Sequence, residues 1–354
     1  MRKVLGIETS CDETAAAIVT EDKQILANVI LSQQEHEEFG GVVPEVAARA
    51  HLDYIDTIIE KALSDANLTL EDIDAISVTS GPGLIGGVLV GVVTAKAIAS
   101  VTNKPIIPIN HLAGHALVAR VSDSIEFPYL LLLVSGGHCQ LLIAESANDY
   151  KLLGSTLDDA LGECFDKSAK LLGLGYPGGP KVEKMAKNCT NPEEAIKKYL
   201  LPKPMVGKDN CDFSFSGMKT AVKRIIDTLP TEVPLKDAQD ICYSFQYHVE
   251  KVLADRLKRA VKQYKELHPN LKNPTLVVSG GVAANKFLRA SIEEIAKNNN
   301  LSFSAPPLKL CTDNGVMIAW AGMEKLINGD DIEEDINFPV YPRWPLDKNS
   351  KRKK

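Results

Sequence analysis

Short apolar runs separated by polar turns open the chain. Lys3–Ile7, Ala15–Val19 and Ile25–Ile30 read as three strands, joined by the polar turn Glu8–Thr14 and by Glu21–Lys23. After Pro44 the apolar period lengthens. Val46, Ala50, Ile55, Ile58, Ile59 and Leu63 recur on one face, which predicts an amphipathic helix to Asp65 with proline in its first turn. A strand at Ala75–Thr79, a Gly-rich turn at Ser80–Gly83 and a helix to Ser100 come next. A strand at Pro105–Ile109 and a helix at His111–Val121 complete a first round.

Pro128 begins a second round with strands at Tyr129–Val134, Cys139–Ala144 and Lys151–Gly154. Helical periodicity occupies Leu157–Leu172, continues past Gly179 to Lys187, and returns over Ala238–Leu267. Thr275–Ser279 and Leu301–Ser304 read as strands, with helices at Ala283–Lys297 and Thr312–Asn328. Both rounds open with strand, turn, strand, and both later place a strand before a glycine turn and a helix, at 78–82 and 278–281. That repetition predicts a duplicated α/β fold of two lobes with a nucleotide cleft between them. The expected lobes are 1–127 and 128–330, with a helical insertion over about 155–270 in the second. The last helix is free to pack back on the first lobe, and 331–354 forms a C-terminal segment.

Composition narrows the class without changing the fold. At 354 residues, 45% hydrophobic and 24% charged, the chain is neither disordered nor fibrous. Its long apolar run Gly86–Ala95 ends at Lys96, and polar residues follow Glu8, so the expectation is a cytoplasmic protein with no membrane partner. Seven cysteines without a C-x-x-C pair read as reduced thiols. The net charge is −6, yet the last ten residues carry five basic groups (Lys348, Lys351, Arg352, Lys353, Lys354) against Asp347. A basic tail on an acidic body suits a polyanion such as RNA, although a solubilising terminus has the same composition.

Candidate chemistry concentrates in a few segments. Asn110-His111-Leu112-Ala113-Gly114-His115 sets two histidines four residues apart on a predicted helix. They stand about 40° apart around the axis, so both imidazoles reach one metal ion. A zinc protease needs Glu at position 112, where this chain has Leu. Asp313 stands at the start of the last helix, where it reads either as an N-cap or as the carboxylate completing a two-His-one-carboxylate site, a set suited to Fe(II). Glycine turns at Ser135-Gly136-Gly137, Gly178-Gly179 and Gly280-Gly281 offer backbone N–H groups to phosphate oxygens, and Asn285 follows the last of them. The turn Glu8–Thr14 gathers acids and hydroxyls. Asp158, Asp159, Glu163 and Asp166 mark helix starts or exposed turns, with Asp166 placed to reach a ligand.

With these residues in view, the sequence resembles the bacterial TsaD (YgjD/Gcp, Kae-like) family. The resemblance rests on GIETSCDET at 6–14, GGVVPEVAARAH at 40–51, SGPGLIGGVLVG at 80–91 and NHLAGH at 110–115. It continues in LVSGGH at 133–138, GECFDKSAKLLGLGYPGGP at 162–180, FSFSGMKTA at 213–221, SGGVAANKFLR at 279–289 and CTDNGVMIA at 311–319. Such a resemblance implies an actin/Hsp70/sugar-kinase-like (ASKHA) fold. It implies a divalent metal, usually Fe2+ (with Zn2+ or Mg2+ as substitutes), on His111, His115 and Asp313. It also implies a nucleotide-like substrate at Leu133, Val134, Ser135, Gly136, Gly137, Asp166, Gly179, Glu183 and Asn285. The implied reaction moves the threonylcarbamoyl group from threonylcarbamoyl-AMP to N6 of a tRNA adenosine. The implied partners are tRNA, a TsaB-like paralogous subunit and a TsaE-like ATPase. Asp12 or Glu13 is our candidate for the base that takes the proton of the attacking amine. A small-molecule kinase on the same fold explains the glycine turns but not the paired histidines, and a non-catalytic scaffold is expected to lose His111, His115 and the acids, all of which are kept.

Overall fold

The computed structural model describes residues 1–33, 36, 41–123, 125–329 and 336–349. The basic tail at 351–354 lies outside the described residues. Two compact units emerge, one of Met1–Glu126, Glu145–Tyr150 and Pro306–Lys354, the other of Phe127–Ala144 and Lys151–Ala305.

In the first unit, β1 (Lys3–Glu8), β2 (Glu13–Thr20) and β3 (Ile25–Ser32) form an antiparallel meander. Helix α1 (Pro44–Asp65) follows, then β4 (Ala75–Gly81), α2 (Ile85–Thr102) and β5 (Ile106–Asn110) as a parallel crossover. The sheet order is β3-β2-β1-β4-β5. Helices α3 (His111–Leu117) and α4 (Ala119–Ser122) leave its last strand.

The second unit repeats the plan. It holds β6 (Tyr129–Val134), β7 (Cys139–Ala144), β8 (Tyr150–Ser155, from Lys151 onward), β9 (Thr275–Ser279) and β10 (Ser302–Ser304). Its sheet order, β10-β9-β6-β7-β8, is the first order element for element, with the β6–β7 pair antiparallel and β6–β9–β10 parallel. The duplication read from the sequence is therefore present at the level of strand order and direction. Between β8 and β9 lie α5 (Leu161–Leu171), α6 (Gly178–Ala186), α7 (Pro192–Lys198), α8 (Ser216–Ile226) and the long α9 (Leu235–Leu267). Helix α10 (Lys286–Asn298) joins β9 to β10.

The last helix, α11 (Gly315–Asn328), packs on β1, β2 and β4 of the first unit. It lies so close that a Cβ at Gly6 would overlap Ala319 N and sit 2.5 Å from Gly315 O, while one at Gly315 would sit 2.5 Å from Ala17 N. Glycine at both positions is what lets the helix backbone rest on the strands. Helix α2 has the length and apolarity of a membrane span, with a mean hydropathy of 1.8. Here it packs on β4 and α1, burying Gly87, Val88, Val90, Gly91, Val92, Ala95 and Ala99.

Several boundaries differ from the sequence reading. Helices α7 and α8 were not expected at all. The helix expected from Leu157 starts at Leu161, because the Asp158 carboxylate instead accepts from Phe215 N (2.7 Å) and Ser214 Oγ (2.6 Å) and holds 157–159 in a bend. The helix expected from Ala283 starts at Lys286, with Asn285 as its cap.

Candidate functional site

The two candidate groups of residues fall in different units, each described by itself. In the first, β5 delivers the chain into α3 through Asn110, whose Oδ1 accepts from Leu112 N at 2.9 Å and caps the helix. His111 and His115 are consequently one turn apart and both buried. Asp313 comes from the other end of the chain, two residues ahead of α11. It is not the N-cap. Asn314 takes that role by accepting from Met317 N at 3.0 Å, which leaves the Asp313 carboxylate turned to the histidines. Its Oδ1 is 3.0 Å from His115 Nε2 and 3.5 Å from His111 Nε2.

Among the described residues, His111, His115 and Asp313 are the cluster of such donors whose ligand atoms all lie within 4.8 Å of one another. Behind them stands a residue the sequence reading did not single out. Glu8 is fully buried at the end of β1. Its carboxylate accepts from Ser10 N (2.5 Å) and Thr79 Oγ1 (2.5 Å) and faces His111 Nδ1 at 3.1 Å. Ser10 Oγ is 3.0 Å from the same nitrogen. A carboxylate on the far nitrogen of an imidazole fixes ring orientation and raises ligand basicity, the usual support of a metal-bound histidine. The signal available in the sequence was an acid closing an otherwise apolar strand, KVLGIE. The donor set and its backing therefore fit a divalent ion, and two imidazoles with one carboxylate suit Fe(II).

The electrostatics agree with a cation site. Burial works to lower the His111 pKa, but the Asp313 and Glu8 carboxylates overcome it and push it up to about 9. Burial works to raise Glu8, and His111 holds it below the usual range. Burial, then Asp313 and Asp12, drive Glu13 well above it. Asp12 lies in the turn between β1 and β2, and Glu13 is the first residue of β2. That turn is fastened by His51 of α1, whose Nε2 is 3.0 Å from Cys11 O and whose Nδ1 is 2.8 Å from Thr14 Oγ1.

The second unit gathers the nucleotide candidates at the ends of β6 and β9. Leu133 and Val134 are buried strand residues, so only their backbone is available to a ligand. Ser135, Gly136 and Gly137 form the β6–β7 turn, and a Cβ on Gly136 or Gly137 would meet nothing within 4 Å. Gly162 N and Glu163 N at the start of α5 donate to Ser135 O and Gly136 O, both at 3.2 Å. Asp166 Oδ1 accepts from Gly178 N at 2.7 Å, at the start of α6 beside Gly179. Glu183 Oε1 accepts from Lys286 N at 2.9 Å. Asn285 Oδ1 accepts from Leu288 N at 3.0 Å, and its Nδ2 donates to Gln246 Oε1 at 2.9 Å. The two acids thus each commit an oxygen to a helix N-terminus, and the cluster is cross-linked: α5 to α6, α6 to α10, α10 to α9.

Comparison with known proteins gives this arrangement its family. The sequence profile for TsaD, tRNA N6-adenosine threonylcarbamoyltransferase, matches residues 24–320. A protein of that name from Chelativorans sp. (strain BNC1) is 53% identical over 357 residues, covering 99% of this chain and 96% of its own. Its counterpart in Brucella anthropi is 53% identical, covering 98% and 96%. Among solved structures, HypF of T. kodakarensis superposes with a TM-score of 0.57 at 14% identity, over 93% of this chain and 48% of that one. A full-length HypF in its phosphate- and nucleotide-bound form gives 0.58 at 11% identity, over 94% and 47%. These distant likenesses show the ASKHA-type fold alone. The close relatives show more: the chain belongs to the tRNA N6-adenosine threonylcarbamoyltransferase family, and is an acyltransferase that modifies tRNA.

Proposed function

We propose that this chain takes the threonylcarbamoyl group from threonylcarbamoyl-AMP and places it on N6 of the adenosine immediately 3′ of the anticodon, in tRNAs reading ANN codons, in the cytoplasm. The observation that carries the metal-dependent form of this reading is the convergence of His111 Nε2, His115 Nε2 and Asp313 Oδ1, with Glu8 behind His111. These three residues would hold Fe2+. A divalent ion at such a site supplies Lewis acidity toward an acyl or phosphoryl oxygen.

The remaining work falls to side chains and backbone. N6 forms its bond to the carbamoyl carbon as the bond from that carbon to the phosphate oxygen breaks and AMP departs. The amine proton goes to Asp12 or Glu13. Backbone of Leu133, Val134, Ser135, Gly136, Gly137 and Gly179, with the polar groups of Asp166, Glu183 and Asn285, holds the adenylate. The test of the whole reading is transfer of radiolabelled threonine from threonylcarbamoyl-AMP into unmodified tRNA. Label that stays out of tRNA in the presence of every partner sinks it.

The two sets of residues separate kinetically. Adenylate contacts exist in ground and transition states alike, so Asp166→Ala and Asn285→Ala raise KM for the adenylate about tenfold with a smaller change in kcat. Asp12→Asn does the reverse, since a base acts only as the proton leaves. Steady-state kinetics decide it, and an unchanged adenylate KM in both of the first two variants removes that binding assignment.

A TsaB-like subunit and a TsaE-like ATPase are the proposed protein partners. Support comes from an apolar stripe on α2, where Ile85, Leu89 and Val93 recur one turn apart and are 45%, 44% and 61% exposed. Leu52 and Tyr54 of α1 are exposed as well. Val93→Glu places a charge in that stripe and abolishes the complex with the paralogous subunit in gel filtration. Co-elution as in the wild type counts against this surface.

A further inference from the structure

Beyond its candidate metal ligands, the first unit contains an extended C-terminal strap, one of whose ties reaches the residue before His111. Phe338 is 6% exposed and is held by Lys96, whose Nζ donates to Phe338 O at 2.9 Å and lies 4.4 Å from the ring centroid. Tyr341 N donates to Ser80 O at 2.7 Å. The approach there is so close that a Cβ on Gly81 would overlap the Tyr341 carbonyl oxygen. The rings of Tyr341 and Trp344 pack at 4.7 Å, and Leu346 is 7% exposed. Between these anchors, Trp344 O accepts from Asn110 Nδ2 at 2.9 Å.

Asn110 therefore works in two directions. Its oxygen caps α3 through Leu112 N, and its amide nitrogen is tied to the strap. The next residue is His111. Helix α3 has seven residues, too short to hold its own place in water, so its orientation is set by its packing on α11 and by what grips its ends. We propose that the strap Phe338–Leu346 is a positioning element for the metal site. By holding Asn110 it sets the start of α3, and with it the aim of His111 and His115 toward Asp313. The inference rests on the metal reading above for its meaning, but its mechanical part stands on the hydrogen bonds alone.

Three proteins test it: Asn110→Ser, a chain ending at Gly329, and a chain ending at Asn349. Serine keeps a capping oxygen for Leu112 N but is too short to reach Trp344 O, so it isolates the tie from the cap. The probes are cobalt(II) alone, followed by titration and its d–d absorption, and amide exchange over Leu112–Leu117 in metal-free protein. Asn110→Ser and the Gly329 chain are expected to bind cobalt about tenfold more weakly, with an altered spectrum, and to exchange faster over α3. The Asn349 chain, which lacks only the basic end, should match the wild type in both. If the Gly329 chain does not fold, Asn110→Ser alone decides. Wild-type cobalt affinity, spectrum and exchange in Asn110→Ser overturn the proposal. If the wild type itself binds no cobalt, the metal reading fails, and the exchange rates still judge the strap.

Discussion

His111→Ala and His115→Ala are each expected to lose bound metal and threonylcarbamoyl transfer together. Both Nε2 atoms face Asp313 Oδ1, so removing either leaves two ligands where three converge. Affinity then falls by about an order of magnitude or more. The Lewis-acid contribution is worth several kcal/mol, so the transfer rate falls about 100-fold or more. His268 is the control. It packs against Tyr264 at 5.5 Å in the second unit, and His268→Ala should leave metal content and rate at wild-type values. Elemental analysis alongside the tRNA assay reads both quantities. Full metal occupancy in both ligand variants would refute the site.

Gly6→Val is expected to cost substantial stability. Its Cβ would overlap Ala319 N and crowd Gly315 O, and both are backbone atoms of a buried helix that cannot rotate aside. Helix α11 must shift off β1, at about 1–3 kcal/mol or more. At about 2–4 °C per kcal/mol for a unit of this size, the melting temperature drops by roughly 2–12 °C. Because Asp313 lies two residues ahead of α11, the same shift draws its carboxylate from His115, and cobalt binding is expected to weaken in parallel. Gly217→Ala is the contrast. A Cβ there meets only Pro204 Cγ, at 3.9 Å, and calorimetry should find it unchanged. Equal melting of Gly6→Val and wild type would mean that α11 does not lie where it is described.

The sheets were legible because their strands are apolar runs of the right length with glycine or polar turns between them. Tyr129–Val134, Cys139–Ala144 and Thr275–Ser279 match the sequence reading residue for residue. Helices α7 and α8 were missed for a physical reason. Only Ala195 of the first, and Met218 and Val222 of the second, are buried, so each shows too narrow a stripe to register against prolines and lysines. At the site, the histidine pair announced itself by spacing. Asp313 stayed open between cap and ligand, since Asp313 and Asn314 are equally good caps in isolation, and only the structure shows that Asn314 is the cap. Glu8 was hidden by its position next to a polar turn, where an acid looks solvated. Its burial follows from Thr79 and His111 arriving from elements 71 and 103 residues away, which no local pattern encodes.

The sequence distance between ligands has a consequence for how the protein comes into being. His115 and Asp313 are 198 positions apart, and the helix that carries Asp313 into place is also the cover of β1 and β2. At about 5–20 residues per second of synthesis, roughly 10 to 40 s separate translation of the histidine pair from that of the carboxylate. Throughout that interval the nascent chain offers two imidazoles without their third donor, and a sheet face without its helix. A ligand pair alone ranks cations by intrinsic affinity, in which copper exceeds iron. The carboxylate that favours a harder ion arrives only with the last tenth or so of the chain. On the proposed metal reading, loading waits for the finished protein, and a chain stalled before α11 leaves the face of β1 and β2 without its cover.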